Sequence, residues 1–501
     1  METAIRLDEE QGRLIAQQEL GRYRLIVVSN REPYIHQAGR GASGETICLK
    51  PAGGLVSALD PLMRCLGGTW IAWGSGNRDL DFVDKKGKLR VPPEAPSYEL
   101  KRVWLEKDEV EGYYYGYANR ALWPLCHILV ERTRFRRAYW RNYQRANQLF
   151  ARAILDELAD YGSKPAVVWL QDYHLALCPK LVKEHRPSAI VSLFWHIPWP
   201  SYDVIRVCPQ RKEIMEGLLG CDLLGFQTEA FVRNFLESVK TELSATVNFK
   251  EKTVIQGDHV TRVRAFPISI DYDWFDSLAR SQETVKLMGR IISRYNLSGL
   301  KLGVGADRLD YTKGLIERLK GLDLFFARYP EYQGKFTFLQ IAAPSRSKIR
   351  AYQRLRREVD QSVNYINEKY ARNDWIPIRH IGVKLDQEDL AAYYRLADLG
   401  IVSSLHDGMN LVAKEYVACQ LEGKGVLVLS ELAGVFTQMK GCLPVNPFDT
   451  DGFAETIKLA LEMPEKERIV RMRRLRRMVR EHNIYKWMAD IFTEIGHDLK
   501  A

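Results

Sequence analysis

The sequence predicts an α/β protein of two doubly wound, Rossmann-like domains facing each other across a cleft. Three observations predict it. Short apolar runs alternate with longer amphipathic stretches along the whole chain. The runs fall into two series, each about half of the 501 residues. Polar or charged residues follow one run after another. Apolar runs separated by helical patterns imply βαβ units, and their continuous apolar character fits parallel sheets covered on both faces. A chain of this length is also too long for one core.

Taken in order, the first series is "RLIVVSN" (24–30), "AVVWLQD" (166–172), "AIVSLFWH" (189–196) and "DLLGFQT" (222–228). The second is "KLGVGAD" (301–307), "KFTFLQIA" (335–342), "WIPIRHI" (375–381), "LGIVSSL" (399–405) and "GVLVLSE" (425–431). The stretch 76–112 is rich in Pro, polar residues and turn formers and reads as an excursion from the first sheet. A boundary falls near "AFPISIDYDWF" (265–275), where a proline turn precedes the second series. The expected parts are an extension over 1–20, a first domain over 21–268, a second over 269–480, and a terminal helix over 481–501 packed back on the first domain.

Composition narrows the classes. With 46% hydrophobic and 27% charged residues there is no case for disorder. The charge, 73 − 63 = +10, favours phosphorylated partners. Eight scattered cysteines form no CxxC pair or metal spacing, which reads as reduced and cytoplasmic. The polar start "METAIRLDEEQGRLIAQQEL" lacks a signal segment, and no run approaches the roughly 20 apolar residues a membrane span needs. Neither a membrane nor a nucleic acid is an expected partner. The arginine-rich stretches 131–147 and 466–482 carry no nucleic-acid motif and read as solvated helix faces. Nothing in the sequence specifies an oligomeric state, and a homo-oligomer is compatible with it.

In an open parallel sheet, ligands bind outside the carboxyl ends of the strands. Ser29-Asn30-Arg31, Gln171-Asp172-Tyr173-His174 and His196-Ile197-Pro198 follow strands of the first series. Asp307-Arg308 through Lys313, Ser345-Arg346 and His406 through Asn410 follow strands of the second. Such concentration points to a ligand cleft.

"GADRLDYTKGL" (305–315) sets Arg308 and Lys313 just outside a strand end, where a guanidinium fork and an ammonium could neutralise a diphosphate. The alternative is a solvated loop paired with Asp307 and Asp310. It is no P-loop, since Lys313 is followed by Gly314 rather than Ser or Thr. In "HDGMNLVAKEYVA" (406–418), a glycine leads into a helix whose first N–H groups make an anion site. Glu415 is expected about two turns in, about 10 Å from the helix mouth, suited to vicinal hydroxyls. A surface i,i+4 pairing is its alternative. "PAGGL" (51–55) is weak alone. His174 and His196 show no metal spacing, and neither HExxH nor GxSxG occurs.

Together "VVSNR", "AGGL", "WLQDYHL", "FWHIPWP", "LLGFQT", "DRLDYTKGL" and "DGMNLVAKEYVA" resemble the trehalose-6-phosphate synthase family of retaining GT-B glycosyltransferases, which also includes glucosylglycerol-phosphate synthase. The resemblance runs in order from about Arg24 to Trp487. It implies transfer of glucose from a nucleotide sugar to glucose 6-phosphate with retained anomeric configuration and no metal or other cofactor. It implies that Arg308 and Lys313 hold the donor diphosphate and Glu415 the ribose. Asp407, Met409, Asn410 and Leu411 would meet the donor sugar, His196 would lie beside the transferred glucose, and Gly54 would approach the phosphates. His196, Arg308, Lys313 and Asp407 are the implied catalytic set. The acceptor residues carried over are Arg31, Trp73, Tyr114, Trp123, Asp172 and Arg346, with Trp73 chosen over Trp70.

The implied mechanism is front-face attack, with the leaving phosphate taking the acceptor proton. That fits a sequence with no nucleophile motif, because positioning and charge on the leaving group carry the chemistry. The segment between "SNR" and "GGL" is longer than in the family's bacterial members, and "REPY" is similar to glucosylglycerol-phosphate synthase. Glycerol 3-phosphate therefore stands as the alternative acceptor, while Tyr114, Trp123 and Arg346 favour a hexose phosphate. The donor nucleotide, UDP, ADP or GDP, is left open. An inactive sugar-phosphate-sensing relative would have lost some of Arg308, Lys313, Asp407 or Glu415, and all four are present.

Overall fold

The computed structural model describes residues 7–39, 45–51, 54–162 and 165–498, and it separates into two compact units. One is Leu7–Ile268 together with the stretch from Tyr485 onward; the other is Ser269–Ile484.

The first unit contains β1 (Arg24–Ser29), β2 (Ile35–Ala38), β3 (Thr46–Leu49), β4 (Thr69–Trp73), β5 (Lys88–Val91), β6 (Tyr98–Val103), β7 (Ala166–Gln171), β8 (Ile190–Phe194), β9 (Leu223–Phe226), β10 (Thr246–Asn248), β11 (Thr253–Gln256) and β12 (His259–Ala265). Ten of these form one sheet, ordered β10-β11-β12-β9-β8-β7-β1-β4-β6-β5. The run from β12 to β6 is parallel, and its central strands are apolar and buried throughout, as β7 shows. The first strand pairs with β4 on one side and β7 on the other, with Ser29 opposite Gln171. The chain order reverses there, so the carboxyl ends of β1 and β7 frame a crevice.

Each apolar run of the first series became a strand, but the "excursion" 76–112 did not stay out of the sheet. Its β6 pairs with β4 in parallel. Periodicity hides this strand because its buried positions include Lys101 and Arg102. Those charges are offset by partners distant in sequence: Lys101 donates to the Ala153 carbonyl, and Arg102 pairs with Glu32 and Asp79. The stretch expected to stand apart before residue 21 is helix Glu9–Leu20, opened by an Asp8 capping box, with Ala16 and Leu20 buried. At the other end, helix Ile484–Asp498 sets Trp487 against Trp169 and Phe194 and donates its indole N–H to the Phe266 carbonyl.

The second unit contains β13 (Lys301–Arg308), β14 (Phe336–Ala343), β15 (Ile378–Ile381), β16 (Leu399–Val402), β17 (Val426–Ser430) and β18 (Leu443–Val445). All pairings are parallel, in the order β15-β14-β13-β16-β17-β18. Counted within the unit this is 3-2-1-4-5-6, the order that places a nucleotide crevice between the first and fourth strands. Arg308 ends the former strand, and residues 403–410 follow the latter.

The second basic stretch is helix Glu465–Glu481, with Met472, Leu475 and Val479 buried. Two of its arginines are structural. Arg468 donates to the carbonyls of Ala460, Leu461 and Met463 at the end of helix Thr450–Glu462. Arg476 does the same for Val417 and Ala418 and pairs with Asp276. Both satisfy the orphan carbonyls that every helix C-terminus leaves. Among the described residues no helix is long and apolar enough to cross a membrane.

Candidate active site

In the second unit, β13 delivers Arg308 and then a tight turn, Tyr311–Lys313, before helix Leu315–Arg328. Gly314 makes that turn possible. It sits at φ +63, and a Cβ there would lie 2.0 Å from the Ser403 carbonyl oxygen, so a side chain is excluded twice over. Ser403 Oγ donates to the carbonyls of Lys313 and Gly314, and Leu405 N–H bonds the Thr312 carbonyl. The loop after β13 is thereby fastened to the loop after β16.

Lys313 Nζ reaches Asp407 Oδ2 at 2.5 Å. The same oxygen accepts from Ser404 Oγ at 3.0 Å and Asn410 Nδ2 at 3.2 Å. Asn410 then caps helix Leu411–Cys419, its Oδ1 accepting from Ala413 N–H, with its own backbone at φ 82. A non-glycine residue in that region is held against its preference, a feature that gathers at functional sites. The segment is clamped from outside as well. Met409 C=O accepts from Val435 N–H, and Gly434 lies so close that a Cβ would sit 2.0 Å from the Gly408 oxygen. Met409 is buried, and Leu411 opens the helix whose first N–H groups form an anion-favouring mouth.

Glu415 is the fifth residue of that helix, just past its first turn and not two turns in. The expectation placed the helix start too early, because β16 ends at Val402 and residues 403–410 form a loop. Tyr394 OH donates to Glu415 Oε2 at 3.1 Å, and burial pushes the carboxyl up to about 7. It is no surface i,i+4 pair.

The two aspartates of the opening motif divide their work. Asp307 pairs with Arg318, fully buried, at 2.6 Å. Arg318 also reaches Ser403 Oγ and Gln340 Oε1. Asp310, likewise fully buried, accepts from Arg346 at 3.1 Å and from Tyr352 OH at 3.1 Å, with Arg308 at 4.0 Å. Of the pairings in the solvated-loop alternative, Arg308 with Asp310 is present at 4.0 Å, but both carboxylates also have partners beyond the loop. Arg308 itself remains 41% exposed. Arg346, expected on the acceptor side, stands in this unit beside Arg308, at φ 44.

The remaining candidates lie in the first unit. Asp172 follows β7 with φ 75 and ψ 170, a region that normally belongs to glycine. Its Oδ1 accepts from Tyr173 N–H at 2.9 Å and His196 N–H at 3.1 Å. His196 Nε2 lies 3.0 Å from Gln171 Oε1. An amide oxygen only accepts, so Nε2 carries the hydrogen and Nδ1 presents a lone pair. Burial holds the ring's pKa down at about 3, so it stays neutral. Trp73 and Tyr114 bring their rings to 6.1 Å, and Tyr114 stacks on His174 at 5.8 Å. Trp70 is fully buried and donates to Ser29 Oγ. Trp123 is 6% exposed and packs on His127 and Tyr173, so it offers little open face. Arg31 is exposed, and Gly54 opens helix Gly54–Leu66, next to residues 52–53 outside the described set.

Sequence reasoning missed the groups that hold these side chains. Glu32, next to Arg31, accepts from Ser75 N–H at 2.8 Å and pairs with Arg102 at 2.8 Å. Arg102 meets Asp79 at 2.9 Å. This buried cluster ties the loop after β1, which carries Arg31, to the loop that follows Trp73 at the end of β4, and burial pushes Glu32 up to about 7. Arg318 and Ser404 belong to the same class, and no local motif marks them. Among the described residues, no three His, Cys, Asp or Glu side chains are grouped as a metal site.

Comparison with known proteins shows the family. The family profile described as Glycosyltransferase family 20 matches residues 23–497. Alpha,alpha-trehalose-phosphate synthase [UDP-forming] A of Dictyostelium discoideum is 35% identical over 477 residues, covering 94% of this chain. The chain spans 62% of that relative's own length. Trehalose-6-phosphate synthase of Mycobacterium avium is 36% identical over 470 residues, covering 92% of this chain and 93% of the relative. A crystal structure of a UDP-forming alpha,alpha-trehalose-phosphate synthase from Burkholderia xenovorans in complex with glucose-6-phosphate superposes with a TM-score of 0.82. It is 32% identical and covers 94% of this chain and 99% of its own.

Proposed function

The chain belongs to glycosyltransferase family 20, and from that premise we propose that it is a trehalose-6-phosphate synthase. It moves glucose from UDP-glucose to glucose 6-phosphate and releases UDP. The observation that carries this reading is the Lys313–Asp407 pair, set where β13 and β16 diverge. The relatives described as UDP-forming support the donor, and the relative holding glucose 6-phosphate supports the acceptor.

In this reading Arg308 and Lys313 neutralise the diphosphate as the bond from the sugar C1 to the phosphate oxygen breaks. The acceptor hydroxyl forms the new bond to C1 on the same face, and its proton passes to the departing phosphate oxygen. Two cations and a helix N-terminus supply the positive field, so no metal is invoked. His196, neutral, accepts a sugar hydroxyl at Nδ1 and does not act as an acid. Glu415 accepts the ribose hydroxyls. Asp172, Tyr114, Trp73 and Arg31 receive the acceptor sugar and its phosphate. All eight cysteines are free thiols, which supports a cytoplasmic setting. The burial of one face of helix Glu465–Glu481 and the capping roles of Arg468 and Arg476 support a structural helix rather than a nucleic-acid surface.

The test is nucleotide release from UDP-, ADP- and GDP-glucose in the presence of a chelator, with glucose 6-phosphate and glycerol 3-phosphate in parallel. Release from UDP-glucose that depends on glucose 6-phosphate is the expected result. Release only with glycerol 3-phosphate would replace the acceptor, and release with neither would overturn the reading.

A further inference from the structure

Among the described residues strand β15 pairs with β14 alone and so forms a free edge of the second sheet. Along that edge lies a cavity of about 550 Å³, within the span of about 300–1,000 Å³ typical of small-molecule sites. Helix Arg350–Tyr370 walls it with Asp360, Asn364 and Asn367; Tyr295 walls it at the end of helix Gln282–Tyr295; Arg379 and His380 line the strand side.

A strand edge presents main-chain N–H and C=O groups that need partners. Phe338 N–H bonds the Pro377 carbonyl, with Phe338 opposite Ile378. The alternation of a parallel ladder then turns the main-chain groups of Ile378 and His380 outward. Asn367 takes both groups of Ile378, its Nδ2 donating to the carbonyl at 3.0 Å and its Oδ1 accepting from the N–H at 3.0 Å. The next pair, on His380, faces the cavity.

Two side chains add to it. Arg379 donates one terminal nitrogen to the Tyr295 carbonyl at 2.9 Å and lies over the Tyr295 ring, while its Nε is buried with no protein acceptor. Among the described residues no carboxylate pairs with this guanidinium, and burial lowers its pKa. His380 lies with Nδ1 3.4 Å from Asp360, and its Nε2 is buried with no protein partner. A buried guanidinium N–H without an acceptor calls for an anionic oxygen. The carboxylate of Asp360, the His380 nitrogen and the Asn364 amide are suited to hydroxyls.

We propose that this edge cavity is a second ligand site, for a small hydroxylated anion, either a phosphate ester or a hydroxycarboxylate. It stands apart from the residues that handle donor and acceptor, and it has a physical link to them. His380 lies opposite Gln340 across the β15–β14 pair, and Gln340 Oε1 accepts from Arg318, which holds Asp307 next to Arg308. Catalytic rate is therefore a second readout.

The experiment is calorimetric titration of the full chain with ribose 5-phosphate, a phosphate ester without a carboxylate, and with citrate, the catalytic site being kept filled by UDP and trehalose 6-phosphate. The expected result is saturable binding of one of the two, weakened at least tenfold by Arg379→Gln and by Asn364→Leu. Which probe binds tells the phosphate ester from the carboxylate. Asn364 is exposed, so its replacement keeps the test valid if Arg379→Gln fails to fold. Turnover of Asn364→Leu without added anion should stay within twofold of the parent. Binding of neither probe, or binding that Asn364→Leu leaves unchanged, would overturn the proposal.

Discussion

Lys313 Nζ and Asp407 Oδ2, 94 residues apart in sequence, meet at 2.5 Å, and the same carboxylate oxygen also accepts from Ser404 and Asn410. One oxygen thus joins the loop after β13 to the loop after β16 and orients the residue that starts the Glu415 helix. Replacing Lys313 by Ala removes the cation that Asp407 Oδ2 meets in a largely buried setting. Turnover should fall by about two orders of magnitude, and the melting temperature should drop by several degrees. Steady-state kinetics and thermal unfolding check both, and turnover within threefold of the parent would take Lys313 out of the reaction.

Arg308 and Arg318 should separate cleanly. Arg308 is 41% exposed, whereas Arg318 is fully buried against Asp307. Arg308→Ala should cost about 100-fold in turnover with little change in stability. Arg318→Met should cost about 3–5 kcal/mol of stability, since it strands a buried carboxylate. Denaturant unfolding beside kinetics distinguishes them, and the opposite pattern would reverse the roles.

Glu415 carries a pH signature. Burial raises its pKa from 4.5 to about 7. Between those values the folded chain keeps a proton that the unfolded chain releases, so this group's contribution to stability declines as pH rises from 4.5 to 7. Glu415→Gln should therefore raise the melting temperature at pH 8 more than at pH 5. Its KM for UDP-glucose should rise about tenfold or more, for loss of hydrogen bonds to a charged acceptor. Parental UDP affinity should weaken below pH 7, where the carboxyl is protonated, and the variant should lack that dependence.

His196 behaves in the opposite sense. Its pKa is lowered from 6.5 to about 3 by burial. Between those values only the unfolded chain binds the proton, so stability falls as pH drops below 6.5. His196→Gln should make that acid-side decline shallower while lowering turnover by roughly 10-fold, for loss of one hydrogen bond to the sugar. If His196 accepts a hydroxyl and never titrates, the parental rate profile has no limb near pH 6.5 that the variant loses. Such a limb would make it a proton carrier instead.

Much of the second unit was legible because its signals are local. The apolar runs are strands, and the motifs after them keep their chemistry in a few consecutive residues. Lys313, Asp407 and Asn410 meet at one carboxylate oxygen, and Arg308 ends the strand that leads to Lys313. What stayed hidden was non-local. Arg318 reads as one more charge on an amphipathic helix, and only the sheet shows it paired with Asp307. Residues 98–103 look polar because Lys101 and Arg102 find their partners through tertiary contact. The left-handed backbone of Asp172, Arg346 and Asn410 has no sequence signature at all, since none of these residue types requires it. Trp123, which the resemblance implies for the acceptor, is 6% exposed, and its burial beside His127 and Tyr173 likewise depends on tertiary contact.

The last helix has a consequence for synthesis. Trp487 packs on Trp169 and Phe194 of the first sheet, and Glu494 pairs with Arg262 and Arg264 on β12. A ribosome making this chain completes the second unit before it supplies those contacts. The first unit, although begun hundreds of residues earlier, must wait with an apolar face exposed until the rest emerges. Vectorial folding would therefore finish the later-made unit first. A nascent chain stalled near residue 480 should bind chaperones through the earlier one.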